Sequence, residues 1–131
     1  MPRLQERWGP LAAALIVGVL WGAWHFTEYL TPDFSRANGG LSVSGVGVFM
    51  IGIVCFSIII TWVFNHTQAS LVLAILVHAF INFTQLATSF LFPAAAFNET
   101  GPVFAFVLLA VVILIATRGR LGYSRQQGVT P

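Results

Sequence analysis

Along this chain the apolar positions gather into four blocks, residues 10–30, 41–64, 69–92 and 102–117, with polar or turn-forming residues between them. At ~1.5 Å per residue, the first three blocks are long enough as helices to span a ~30 Å hydrocarbon core. The fourth is short and has to borrow interfacial residues or thin the bilayer locally. The pattern predicts an all-α fold, a polytopic membrane helix bundle with four transmembrane helices. Connections fall at 31–40, where a Pro and Asn38-Gly39-Gly40 supply turn formers, at 65–68 and at 93–101. None has room for a second domain, so residues 1–131 read as a single transmembrane domain, with 119–131 as a polar, disordered tail.

Composition sharpens this picture. The chain is 57% hydrophobic and 8% charged, against roughly 25% charged in soluble domains. So few charges cannot clothe a water-facing globule, which excludes a soluble enzyme, a disordered chain and a nucleic-acid-binding domain. The partner implied is the lipid bilayer. All six cations are Arg, and they stand mostly near the chain ends. With a cytoplasmic N-terminus, Arg3, Arg7, Arg118, Arg120 and Arg125 lie inside and only Arg36 lies outside, which satisfies the positive-inside bias with an even helix count. The expected location is therefore the cell membrane, multi-pass, with both termini cytoplasmic. Arg3 and Arg7 before an apolar stretch imitate a signal peptide, but Trp21, Trp24 and His25 stand where a small-residue cleavage site is needed. Cys55 stands alone, so neither an intrachain disulfide nor a cysteine metal cluster can form. Asn65-His66-Thr67, Asn82-Phe83-Thr84 and Asn98-Glu99-Thr100 match the glycosylation pattern, yet the proposed topology puts one in a cytoplasmic turn and one inside a membrane helix.

The candidate chemistry lies in polar groups that a bilayer should exclude. In the third block His78, Asn82, Gln85 and Ser89 recur at steps of four, three and four, which places them on one stripe of a helix. Left unpaired in lipid, each costs several kcal/mol by order of magnitude, so the stripe is expected to face protein or a wet cavity. In the first block Trp21, His25 and Glu28 form a second stripe, and Ala14, Gly18 and Gly22 form a small-residue ridge that lets a neighbouring backbone approach closely. Counted from the cytoplasmic side, His25 lies roughly 22 Å deep, Asn82 roughly 18 Å and His78 roughly 12 Å, which permits the two stripes to meet. A single intramembrane His or Asn is accounted for as helix-to-helix glue contributing about 1 kcal/mol. Two histidines and an amide on converging stripes exceed what glue requires. Glu28 reads as an interfacial carboxylate near the outer helix end, and His66 as a solvated turn residue.

Trp21-Gly-Ala-Trp-His25 resembles the aromatic-xxx-His motif, and His78-Ala-Phe-Ile-Asn82 the His-xxx-Asn motif, of the CPBP family of intramembrane endopeptidases (CAAX protease and bacteriocin-processing, or Abi). The basic stretch 2–10 and the turn 61–70 resemble the family's leads into these two motif helices, so the likeness covers about residues 2–92. It implies a hydrolase cutting peptide bonds of prenylated CAAX-like or precursor peptides. Its catalytic residues here would be His25, His78 and Asn82, with Glu28 as a weaker extra. By the family's division of labour, a glutamate assisted by His25 activates water while His78 and Asn82 stabilise the oxyanion. That division is chemically sound, because amide hydrolysis needs a base for water and donors where negative charge develops.

One departure stands beside the match. The family's first motif, Glu-Glu-xxx-Arg, is absent, and Glu6-Arg7 lacks both the tandem acids and the spacing. The chain therefore reads as the C-terminal half of such a domain, impaired on its own. The alternative reading is a non-catalytic pseudoprotease, immunity-type protein or helper subunit. No cofactor is expected; two histidines and a carboxylate suggest Zn²⁺ as the weaker possibility.

Overall fold

The computed structural model describes residues 1–37, 41–92 and 100–124. The Asn38-Gly39-Gly40 turn, residues 93–99, Arg125 and the rest of the tail, the Asn98-Glu99-Thr100 match and the side chain of Ser89 lie outside the described residues. The described chain is all-helical: α1 (Pro2–Trp8), α2 (Pro10–His25), a 3-10 turn (Glu28–Leu30), α3 (Pro32–Ala37), α4 (Val43–His66), α5 (Leu71–Leu91) and α6 (Thr100–Thr117).

Local chemistry sets the boundaries. Gly9, at φ 80°, ends α1 and begins α2 in a left-handed conformation that glycine adopts without strain. Pro10 then opens α2, where its missing N–H costs nothing. Ser42 caps α4 by accepting from the Gly45 amide at 3.0 Å, and Ser70 caps α5 by accepting from the Leu73 amide.

Three helical stretches are long and apolar enough to cross a membrane, Pro10–Leu30, Val43–His66 and Leu71–Thr88, while Gly101–Thr117 is a shorter apolar helix. The observed architecture thus carries three long spans and one shorter apolar helix, formed by the fourth block, whose length falls short as its sequence implied. The chain is a multi-pass membrane protein by these helices.

Helix α4 is central, packing against α2, α5 and α6. Its contact with α2 is built on the small-residue ridge. Ala14 is fully buried and its carbonyl accepts from Ser57 Oγ at 2.8 Å. A Cβ on Gly18 would lie 3.0 Å from Val54 Cα, and one on Gly22 would collide with the Met50 side chain. Residues 14, 18 and 22 of α2 meet 57, 54 and 50 of α4, so the two helices run antiparallel. On the α6 side, Phe56 stacks on Phe106 at 5.1 Å and Gly52 admits Val103. The core cluster comprises Ala14, Phe56, Ile58, Ile59, Ala110, Ile113 and Leu121.

Three sequence expectations are revised. Residues 31–40 are not a bare connection: α3 forms within them, and Phe34 packs against Tyr29 and Phe49. Asn65 and His66 are not turn residues but the last turn of α4; the reversal is made by 67–70, with Gln68 and Ala69 at positive φ. Asn65 is buried because Gln5 Nε2 donates to its Oδ1 at 3.0 Å, while its own Nδ2 donates to Gln5 Oε1 at 2.9 Å and to the Leu121 carbonyl at 2.9 Å. The same clasp corrects the disordered tail for 119–124, since Leu121 is fully buried in the core. An apolar side chain beyond the end of α6 is thereby buried in the core.

Candidate intramembrane site

The last turn of α2 presents Trp21 and His25. His25 Nδ1 lies 2.9 Å from the Trp21 carbonyl, four residues back. A carbonyl only accepts, so Nδ1 carries a proton, and in the neutral ring this leaves the lone pair on Nε2. The His25 ring sits against Trp21 (5.8 Å between centroids), Trp24 (4.7 Å) and Phe49 of α4 (6.1 Å). Behind it, the 3-10 turn docks through Tyr29, which is buried against Phe34 and Phe49. These rings hold the end of α2 against the start of α4.

Helix α5 supplies the other half. Asn82 Nδ2 donates to His78 Nε2 at 3.1 Å, which makes that nitrogen an acceptor and leaves Nδ1–H as the ring's donor. The His78 ring meets Trp21 edge-on at 4.9 Å and Phe56 at 5.8 Å. Thus Trp21 touches both imidazoles, and the polar groups His25, His78 and Asn82 form one chain of contacts through its indole.

Not all of the stripe is enclosed. His78 is half-buried, but Asn82 and Gln85 are exposed, and α5 packs only along one edge, through Ala74, His78 and Ile81. The polar groups therefore open onto the outer side of α5, beside an apolar groove lined by Leu76, Val77, Phe80, Ile81 and Phe83. Glu28 does not continue the His25 stripe as a helical neighbour: α2 ends at His25, and Glu28 begins the 3-10 turn. Its carboxylate has no hydrogen bond or ion pair among the described residues.

A catalytic zinc asks for three protein ligands. Among the described residues no three of His, Cys, Asp and Glu are grouped closely enough, and His78 Nε2 is already engaged by Asn82. The described residues thus supply two imidazoles and no third ligand. Sequence reasoning had not assigned a role to the Trp21 ring beyond its place in a motif. The signal available was its position four residues before a histidine, on the face that also carries the small-residue ridge.

Two imidazoles and an amide thus lie on helices long and apolar enough to cross a membrane, in a multi-pass membrane protein. Comparison with known proteins makes this specific: the family model for type II CAAX prenyl endopeptidase, Rce1-like, matches residues 1–84, and the chain belongs to that family. It is similar to the CAAX prenyl protease 2 of Methanococcus maripaludis, 30% identical over 83 residues, which covers 63% of this chain and 31% of the relative. The match thus spans about a third of that relative's length. No solved structure matches.

Proposed function

We propose that residues 1–131 form part of a CAAX-type intramembrane endopeptidase site, with His25, His78 and Asn82 as its catalytic residues and a prenylated or precursor peptide as substrate. The observation that carries this reading is that the family match over 1–84 contains all three residues, that both histidine rings meet Trp21, and that Asn82 is hydrogen-bonded to His78. In the proposed reaction His25 Nε2, a free lone pair, helps a carboxylate take the proton of the attacking water. His78 Nδ1–H and the second amide hydrogen of Asn82 face the carbonyl oxygen as it becomes an oxyanion. The scissile C–N bond then breaks as the leaving nitrogen takes up the proton. No cofactor enters this scheme.

Among the described residues no carboxylate is placed at the site, Glu28 being the nearest acid in sequence. Chain 1–131 alone is therefore expected to hydrolyse prenylated peptides near background, since loss of a general base removes about 10² to 10⁴-fold in rate. In the bilayer, α6 completes a fourth crossing. Both termini lie on the cytoplasmic side of the cell membrane, a topology supported by the joint clasp of Gln5, Asn65 and Leu121 at one end of the bundle.

Photo-crosslinking with a farnesylated CAAX peptide carrying a benzophenone tests the site. Saturable labelling that weakens in His78→Leu and Asn82→Leu is expected. Absent saturation, or labelling unaffected by both substitutions, would sink the reading. Strong cleavage by the chain alone, abolished by His25→Ala, would make Glu28 the missing base. Cysteine labelling at Ser35 and Ser124 tests the topology, which fails if both are reached from the same side.

A further inference from the structure

The clasp at the α1 end of the bundle draws together charges that are far apart in sequence. Gln5 lies between Arg3 and Arg7, and the Leu121 carbonyl follows Arg120; both join the buried Asn65 at the end of α4. Gly119 also approaches Leu11 of α2. Four of the five described arginines, Arg3, Arg7, Arg118 and Arg120, are thereby brought to one end, and all are exposed. Among the described residues none of them makes an ion pair, and the sole carboxylate of that end is Glu6. At the other end Arg36 is matched by Asp33 at 3.9 Å, and Glu28 is unpaired.

Two further features share the basic end. Trp8 is 58% exposed at the last turn of α1, with the Arg7 guanidinium 5.4 Å from its ring centroid. His66, at the end of α4, is exposed while its ring lies on Trp62 at 4.6 Å and against Gly122, where any Cβ would collide with it. An amphipathic tryptophan beside unpaired cations is the composition that settles at the headgroup level of a membrane.

We propose that this end is an assembled binding surface for anionic phospholipid headgroups, in which α1 lies as an interfacial helix and the Gln5–Asn65–Leu121 clasp holds the N-terminal and C-terminal arginines on one face. Charge complementarity selects the occupant: among the described residues, four unpaired guanidiniums against one carboxylate favour phosphodiesters with a net negative charge over zwitterions. Each arginine near an anionic surface favours association by roughly fivefold. The surface stands independently of the proteolytic reading, because none of its residues belongs to the candidate site.

The test uses nanodiscs holding equal amounts of phosphatidylglycerol and phosphatidylcholine, with the lipids retained on the released protein counted by native mass spectrometry. Retained phosphatidylglycerol is expected to exceed phosphatidylcholine several-fold. Replacing all four arginines with Gln should bring the two to parity, while circular dichroism stays unchanged because these side chains are exposed. Asn65→Ala keeps every charge but opens the clasp, and should reduce the preference. Equal retention by the unaltered chain, or a preference that survives the fourfold substitution, would overturn the proposal. An undiminished preference in Asn65→Ala would overturn the assembled character of the surface.

Discussion

The indole of Trp21 meets the imidazole of His78 edge-on, with 4.9 Å between centroids. The same residue accepts the Nδ1 proton of His25 through its backbone carbonyl. The indole touches both imidazoles while the backbone carbonyl acts on His25 alone, so substitution of the side chain can separate the two effects. Trp21→Ala should destabilise the bundle by about 2–4 kcal/mol through lost packing, and Trp21→Phe by less. The His25 tautomer should be retained in both variants, because the carbonyl remains, while the His78 ring signals shift. ¹⁵N-edited spectra of the histidines in micelles measure this, and a changed His25 tautomer in Trp21→Phe would refute carbonyl control.

Two glycines of the bundle should respond in opposite ways. At Gly18 a Cβ would press on the Val54 backbone at 3.0 Å, whereas Gly47 has nothing within 4 Å. Gly18→Ala is expected to destabilise by about 1–3 kcal/mol, the usual cost of overpacking. Gly47→Ala, inside α4, is expected to stabilise by about 0.5–1 kcal/mol through helix propensity. Thermal unfolding of both variants in the same detergent decides the matter.

The amide pair of Gln5 and Asn65 should behave non-additively. Either single change to Leu leaves a buried partner unsatisfied, at a cost of about 1–3 kcal/mol. The double change removes both amides and should cost less than the two singles together, with the Leu121 carbonyl carrying the remainder. A double-mutant cycle by thermal unfolding measures the coupling, and simple additivity would show that the two amides do not act as a unit.

Glu28→Gln is expected to leave stability within about 0.5 kcal/mol, because the carboxylate has no partner among the described residues and stands in a 3-10 turn outside the helix that carries His25. Peptide crosslinking should likewise be unchanged. A lost crosslink with unaltered helicity would place Glu28 at the site.

Much of the arrangement was legible in the sequence because bilayers impose simple rules. Apolar block length marked out α2, α4 and α5, and the Ala14-Gly18-Gly22 ridge announced a close helix contact, since only small residues let backbones approach. The motif histidines and Asn82 were legible as polar groups that hydrocarbon should exclude. Periodicity could place them on stripes, but not choose the ring lying between them. Nor could it show that α5 turns only one edge inward and leaves Asn82 exposed. That depends on how α4 divides its surface among three neighbours.

The chain ends mark the same boundary between sequence and structure. Local polarity made Asn65 a turn residue and put Leu121 in a loose tail, because a sequence window sees only its own hydrophobicity. Gln5, Asn65 and Leu121 are separated by 60 and 56 residues, yet each satisfies groups that another brings into the interior. Sequence by itself determined the four apolar helices and the polar residues they carry, since these follow from the exclusion of unpaired backbone and charge from lipid. Only the tertiary structure decided which side chains bury each other's hydrogen-bonding groups, because that pairing depends on positions distant along the chain meeting in space.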